Sequence, residues 1–241
     1  MIYREAVQVR VEDFDQRGNM MPSSVLKLLE NASCHHSEAM TKTPVLAERF
    51  EGTTWLLTDW QVEIDRIPTY RDTLTIETWI TGKAPCAKTY RNFLMLDASG
   101  ELLVKGQAIL VLYSIEERRI VQINEELLAK YQPEQRIVFG GRLPRVILPS
   151  VWDRELPITV RKSDIDYNGH VHNTSYLDFA MELLPDRPAE YEKLWQLRIA
   201  YKASLKYGDE AVVKGTQEGN CWKIGIFCGD KAYTMLEITA R

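Results

Sequence analysis

The chain has 241 residues, 45% of them apolar and 27% charged, which is enough material for a sizeable core in a soluble globular protein. A net charge of −4 argues against nucleic acid as a general partner, since phosphate binding wants a basic face. No apolar run approaches the roughly 20 residues that cross a bilayer, so no membrane partner is expected.

Residues 1–10 alternate polar and apolar side chains from the start and lack the apolar block of a signal peptide, so export is not expected. Cys34, Cys86, Cys221 and Cys228 show no Cys-x-x-Cys spacing. Free thiols in a reducing cytoplasm are the expectation, with Cys221 and Cys228 in the core.

In chain order, residues 3–11 alternate as a strand does. Pro22 and Ser23 then open a helix whose Val25, Leu28, Leu29 and Ala32 form one apolar stripe. Strands are predicted at 55–67, 73–81, 88–96 and 102–114, rich in β-branched and aromatic residues. Turn residues separate them at 68–72, 82–85 and 97–100. Residues 115–152 form a connection, with a short helix at 124–131 capped by Asn124. Its end carries Arg136, Arg142 and Arg145 with no acid among 136–152, either a linker with solvated charge or an anion-contacting patch. A second helical stripe follows at Tyr176, Phe179, Ala180 and Leu183 and stops before Pro185. Strands follow near 195–205, 210–217, 221–228 and 231–240.

Two copies of one unit are visible. A constant offset of 151 carries Asp13 to Asp164, Asp15 to Asp166, Gly18 to Gly169, Ser24 to Ser175 and Leu26 to Leu177. At an offset of 137, Tyr70-Arg71-Asp72 meets Tyr207-Gly208-Asp209, so the first copy holds 14 extra residues between helix and sheet. The unit is a strand, a polar loop, a helix and about four long antiparallel strands. This predicts an α+β chain of two tandem repeats, residues 1–120 and 153–241, with a linker at 121–152.

The polar loop differs between copies. Residues 164–176 hold Asp164, Asp166, Asn168, His170, His172 and Asn173, whereas Arg17, Asn19 and Met21 stand where Asn168, His170 and His172 would be. Asp166, Asn168 and His170 are spaced i, i+2, i+4, and in an extended segment they share one side. A histidine beside a carboxylate suits acid–base work near neutral pH, and Asn168 suits the holding of a water or a carbonyl. Gly169 admits close approach, and N–H groups near Gly169 and Val171 would receive an oxyanion. Together these suit hydrolysis of an activated acyl bond by water. The same residue types also serve as ordinary turn and capping residues, and Asn173, Thr174 or Ser175 can cap. Since the first copy keeps Asp15 and Gly18 but not Asn168 and His170, the turn needs only the former pair.

His170-Val171-His172 with Asp164 and Asp166 offers metal-ligand types, but the chain has no His-x-x-x-His or Cys/His spacing, so no metal and no cofactor is expected. His35 and His36 are expected on the helix surface or in packing. Gly-x-Ser-x-Gly, P-loop and Gly-x-Gly-x-x-Gly motifs are absent.

Residues 164–176 resemble the Asp-x-Asp-x-Asn-x-His-Val-x-Asn-x-x-Tyr segment of acyl-ACP thioesterases, plant and bacterial enzymes that end fatty acid synthesis. Trp55 through Trp79, with Arg66, Pro68, Asp72 and Thr78-Trp79, is similar to that family's first repeat. The resemblance implies two tandem hotdog units, each a long helix wrapped by an antiparallel sheet. It further implies hydrolysis of the thioester between a fatty acyl chain and the phosphopantetheine arm of acyl carrier protein, with Asp166, Asn168 and His170 at the catalytic positions. The first repeat would shape the acyl pocket. One departure stands out. Where the family often has a catalytic glutamate, Ser204 stands here, followed by Leu205 where plant members carry a cysteine. An acyl-CoA thioesterase and a non-catalytic acyl or acyl-ACP binding protein are the alternatives. Two fused units are compatible with a monomer or a homodimer.

Overall fold

Alternating side chains at the N-terminus form β1 (Tyr3–Val7), and Pro22 opens α1 (Pro22–Thr41) in the computed structural model. Proline suits a first helical turn because its missing N–H would have had no intrahelical partner. The structure describes residues 1–42, 44, 52–84, 87–140, 143–185 and 195–240. The first half continues with β2 (Thr53–Ile64), β3 (Leu74–Ala84), β4 (Lys88–Leu96), β5 (Leu102–Ser114) and β6 (Arg119–Val121). A short α2 (Glu125–Lys130) follows, capped as expected by Asn124, whose Oδ1 accepts from the Glu126 N–H at 2.8 Å. The second half comprises β7 (Arg154–Thr159), α3 (Asn173–Leu183), β8 (Trp195–Tyr201), β9 (Glu210–Glu218), β10 (Cys221–Cys228) and β11 (Lys231–Ala240).

All strand pairings are antiparallel, in the order β1-β3-β4-β5-β2-β8-β11-β10-β9-β7, with β6 on β5. Read from each end inward, the two sets of five repeat one another, β7 standing to β9 as β1 does to β3. They join where β2 pairs with β8, from Asp59↔Ala200 to Ile64↔Trp195. Each half is a helix held against its own half of the continuous sheet, the α+β tandem hotdog that the resemblance implied.

The apolar core does not divide with the halves. One cluster takes Leu26, Leu29, Trp60 and Phe93 from the first and Tyr176, Leu177, Leu197 and Trp222 from the second. The stripe residues Val25, Leu28, Leu29 and Ala32 are buried, as are Tyr176, Phe179, Ala180 and Leu183. A smaller cluster under α2 holds Ile80, Leu112, Ile123, Leu128 and Tyr131.

Several boundaries differ from expectation for local reasons. The first strand stops at Val7, and Val11–Asp13 forms a single 3-10 turn because the Asp13 carboxylate accepts the Arg10 N–H at 2.8 Å. The strand predicted to reach 205 ends at Tyr201, since the N–H groups of Lys202 and Ala203 both turn to the Tyr233 carbonyl. α1 runs 20 residues and α3 only 11, which accounts for much of the extra length in the first copy.

The connection crosses the sheet face away from the helices. Phe93 and Ala108 point into the core, so their neighbours Asn92 and Gln107 face the other way. Those buried amides accept from the linker N–H groups of Val138 (3.0 Å) and Phe139 (3.2 Å). Cys34, Cys221 and Cys228 are half-buried and form no disulfide among the described residues; Cys221 and Cys228 stand at the two ends of β10, where Cys228 packs against the core without being fully buried as expected. Cys86, Pro85 and Arg142 lie outside the described residues.

Candidate active site

The polar loop of the second half is built by backbone bonds. After a single 3-10 turn at Lys162–Asp164, the bridge Ile165↔Val171 starts a tight hairpin. The Asp166 N–H donates to the His170 carbonyl at 2.8 Å, and the Gly169 N–H donates to the Asp166 carbonyl at 3.0 Å. Asp166 Oδ1 accepts the N–H groups of Asn168 (2.8 Å) and His170 (3.2 Å). Gly169 sits at φ +79°, a left-handed conformation that costs a residue with a Cβ. The chain then bends into α3, whose N-cap is His172: its Nδ1 accepts the Thr174 N–H at 3.3 Å.

Because the segment is a hairpin tip, the predicted trio does not share the side of an extended strand. Asp166 and His170 lie across from each other, next to the Ile165↔Val171 bridge, and so project to one face. Asn168 stands exposed at the tip, its Nδ2 donating to Asp166 Oδ2 at 3.4 Å. The Asp166 carboxylate is spent on the turn and on Asn168 rather than on the His170 ring. That half-exposed ring makes no hydrogen bond among the described residues.

The expected oxyanion donors are a correction. The Gly169 N–H is taken by Asp166, and the Val171 N–H by the Leu205 carbonyl at 2.8 Å. The N–H groups of Asn168, His170 and His172 are equally spent, the last on the Asp164 carbonyl at 2.8 Å. Asp164 itself is buried and turned away. It accepts the Arg161 N–H at 2.8 Å and pairs with the Arg161 guanidinium, also at 2.8 Å, so it supports the loop from behind. Ser204 is exposed, and Leu205 is fully buried with its N–H donating to Tyr176 Oη at 2.7 Å. Burial raises the Tyr176 phenol to about 12.

A neighbouring group was missed. Glu30 on α1 reaches across to this loop, with Oε2 3.9 Å from His172 Nε2. It keeps 19% of its side chain exposed, yet Oε1 is fully enclosed and makes no well-formed hydrogen bond among the described residues. Burial pushes this carboxyl up to about 7. The Trp60 indole N–H and Lys27 oppose the shift, and the Asp166 charge adds to it. Burial lowers His172, against the pull of Asp166. Behind them Tyr201 Oη donates to the Asn173 carbonyl at 3.1 Å, its phenol held protonated by burial and by Glu30. The offset of 151 carries the signal that was overlooked: Met181 stands at the position of Glu30, as Met21 does at that of His172.

The other histidines are elsewhere. His35 pairs with Glu5 at 2.8 Å on the surface. His36 is buried between Tyr3 and Tyr131 with Nδ1 2.9 Å from Arg91 Nη1, and burial and that charge hold it down at about 3.

A family model described as the acyl-ACP thioesterase N-terminal domain matches residues 1–131, and its C-terminal domain counterpart matches residues 151–226. The chain belongs to the acyl-ACP thioesterase family. Among curated members, the chloroplastic acyl-[acyl-carrier-protein] hydrolase FATB2 of Cuphea viscosissima is 23% identical over 228 residues, covering 89% of this chain and 54% of that protein. The chain thus spans about half the length of the curated relatives it matches. A Lactobacillus plantarum structure assigned as an oleoyl thioesterase aligns with TM-score 0.83 and 27% identity over 99% of this chain and 95% of that one. The 12:0-ACP thioesterase of Umbellularia californica aligns with TM-score 0.85 at 19% identity, over 100% and 97% of the two chains.

Two further surfaces of this acyl-ACP thioesterase family member bear on the site. A cleft of about 430 Å³ beside β1 and α1 is lined by Glu5, Arg10, Glu12, Lys27, Asn31 and His35, among others, and by none of Asp166, Asn168 and His170. Its charged walls do not suit an acyl chain, which asks for apolar ones. On the linker, Arg136 is exposed but stacked 5.0 Å over the Trp79 ring, while its carbonyl accepts the Trp79 indole N–H at 2.7 Å. Arg145 is exposed, and Arg142 lies outside the described residues.

Proposed function

We propose that this chain hydrolyses the thioester of fatty acyl-acyl carrier protein, releasing free fatty acid. The observation that carries the reading is the asymmetry of the two loops. They share one backbone design, yet only the second bears Asn168 and His170, and it does so within a family match spanning both halves. In this reading residues 153–241 hold the chemistry, residues 1–120 shape the acyl pocket, and each chain carries one active site. Asp166 fixes the loop, His170 gives the leaving thiolate its proton, and Asn168 Nδ2 takes over from the spent backbone N–H groups as donor to the carbonyl oxygen.

The carrier protein is acidic in this reading and meets exposed Arg145 of the linker. The free cysteines fit a reducing compartment, and the proposal places the reaction in the cytoplasm. Among the described residues no helix is long and apolar enough to cross a membrane.

The test is thiol release from a panel of acyl-carrier proteins and matched acyl-CoA thioesters. Higher kcat/KM on the carrier-protein series is expected, and the reverse order makes the chain an acyl-CoA thioesterase. His170→Ala is expected to lower kcat by about 10²–10⁴-fold while the melting temperature stays put. Exposed Ser204 at the family's acid position favours one rival, an acyl-binding protein without turnover. Tight acyl binding with no thiol released would establish that rival instead.

A further inference from the structure

We infer that Glu30, carried by the helix of the first half, works with His172 to hold and deprotonate the water that attacks the thioester. This rests on the hydrolase reading above and deepens it, making the site a joint product of the two halves rather than of the second alone.

Three observations converge. Among the described residues the buried Glu30 Oε1 makes no well-formed hydrogen bond, and the Trp60 indole N–H, though it favours this carboxylate, does not close one. Such an arrangement costs free energy and brings no packing in return. Packing alone is served by methionine at the two related positions, Met181 and Met21. Finally, Ser204 leaves the loop without the acid its family often carries, and Glu30 brings a carboxylate to the same loop from the first half.

The geometry suits one shared water. Glu30 Oε2 and His172 Nε2 are 3.9 Å apart, too far for a direct hydrogen bond. A water about 2.8 Å from each would subtend about 90°. His172 Nδ1 accepts the Thr174 N–H and lies 2.9 Å from Thr174 Oγ1, which leaves the ring proton on Nε2. That N–H donates to the water, the water donates to Glu30, and its remaining lone pair is free to attack. The charged and titratable groups around Glu30 are Lys27 on its own helix, Asp166 and His172 on the loop, and Tyr201 on β8. Lys27 also lies 4.0 Å from Asp178 on α3.

As the new O–C bond forms, the water's proton passes to Glu30 and the carbonyl π pair moves onto oxygen. When the adduct collapses, the C–S bond breaks with its pair on sulfur, and His170 protonates that thiolate. Glu30 then gives its proton to solvent and His170 takes one up, so that one water is consumed and one acid and one thiol are formed.

The experiment compares wild type, E30Q, E30M and H172N by thiol release from acyl-carrier protein, from about pH 5 to about pH 9. E30Q is expected to lose about 10²-fold or more in kcat with KM held, and to lose the acid limb of the wild-type kcat/KM profile. E30M should match that loss while melting higher, which keeps the test open should E30Q fold poorly. H172N retains an acceptor for the Thr174 N–H, and so the cap, yet should also lose kcat. An active wild type with E30Q within about twofold and an unchanged acid limb overturns this inference and leaves the hydrolase reading standing. A wild type that releases thiol from no acyl thioester overturns both.

Discussion

Asp15 and Asp166 hold the same turn with the same oxygen. Asp15 Oδ1 accepts the N–H groups of Arg17 (2.9 Å) and Asn19 (3.0 Å), as Asp166 Oδ1 accepts those of Asn168 and His170. Gly18 and Gly169 share a φ of +78° and +79°. Alanine at either aspartate removes two charge-assisted bonds, and each variant should lose roughly 1–3 kcal/mol of stability. Only D166A should also lose thioester hydrolysis. Urea unfolding and thiol release on both variants separate the two effects, and an equal loss of activity in D15A would tie it to the fold.

Glu30 sets a pH dependence of stability. Its carboxyl rises from 4.5 in the unfolded chain to about 7 in the folded one. Below the lower value both states are protonated and folding pays nothing. As pH climbs between the two values the unfolded chain ionises first, so stability falls, by roughly 3 kcal/mol once pH exceeds the folded value. E30M should therefore outlast wild type in urea above about pH 7 and lose most of that added advantage near about pH 4. A stability difference between the two that is constant with pH would show that Glu30 ionises normally in the fold.

Arg145 tests the carrier-protein surface more cleanly than Arg136, whose stacking on Trp79 confounds any substitution there. Arg145→Glu is expected to raise KM for acyl-carrier protein several-fold and weaken its salt dependence, with kcat unchanged. An unaltered KM and salt response would remove the linker from the docking surface.

The long strands and both helices were legible because each carries its own period. Val25, Leu28, Leu29 and Ala32 mark a helix face wherever they are placed, and Leu74, Ile76, Thr78 and Ile80 mark a strand. β7 was less so, since a short edge strand containing Pro157 reads weakly. The offset of 151 located the polar loop and separated the turn residues Asp15 and Gly18 from Asn168 and His170. It did not show where the loop's N–H groups go, because the Val171 bond to Leu205 and the His172 bond to Asp164 are made by backbone atoms that every residue has. Nor did it show that His172 faces an acid.

Local pattern and repetition thus determined the two-unit α+β architecture and the position of the polar loop. Only the tertiary structure decided what that loop meets. Glu30 and His172 lie far apart in the chain and come within 3.9 Å because α1 and α3 pack together where β2 and β8 join the halves. The burial that raises the Glu30 carboxyl is a property of that packing, and no single segment contains it.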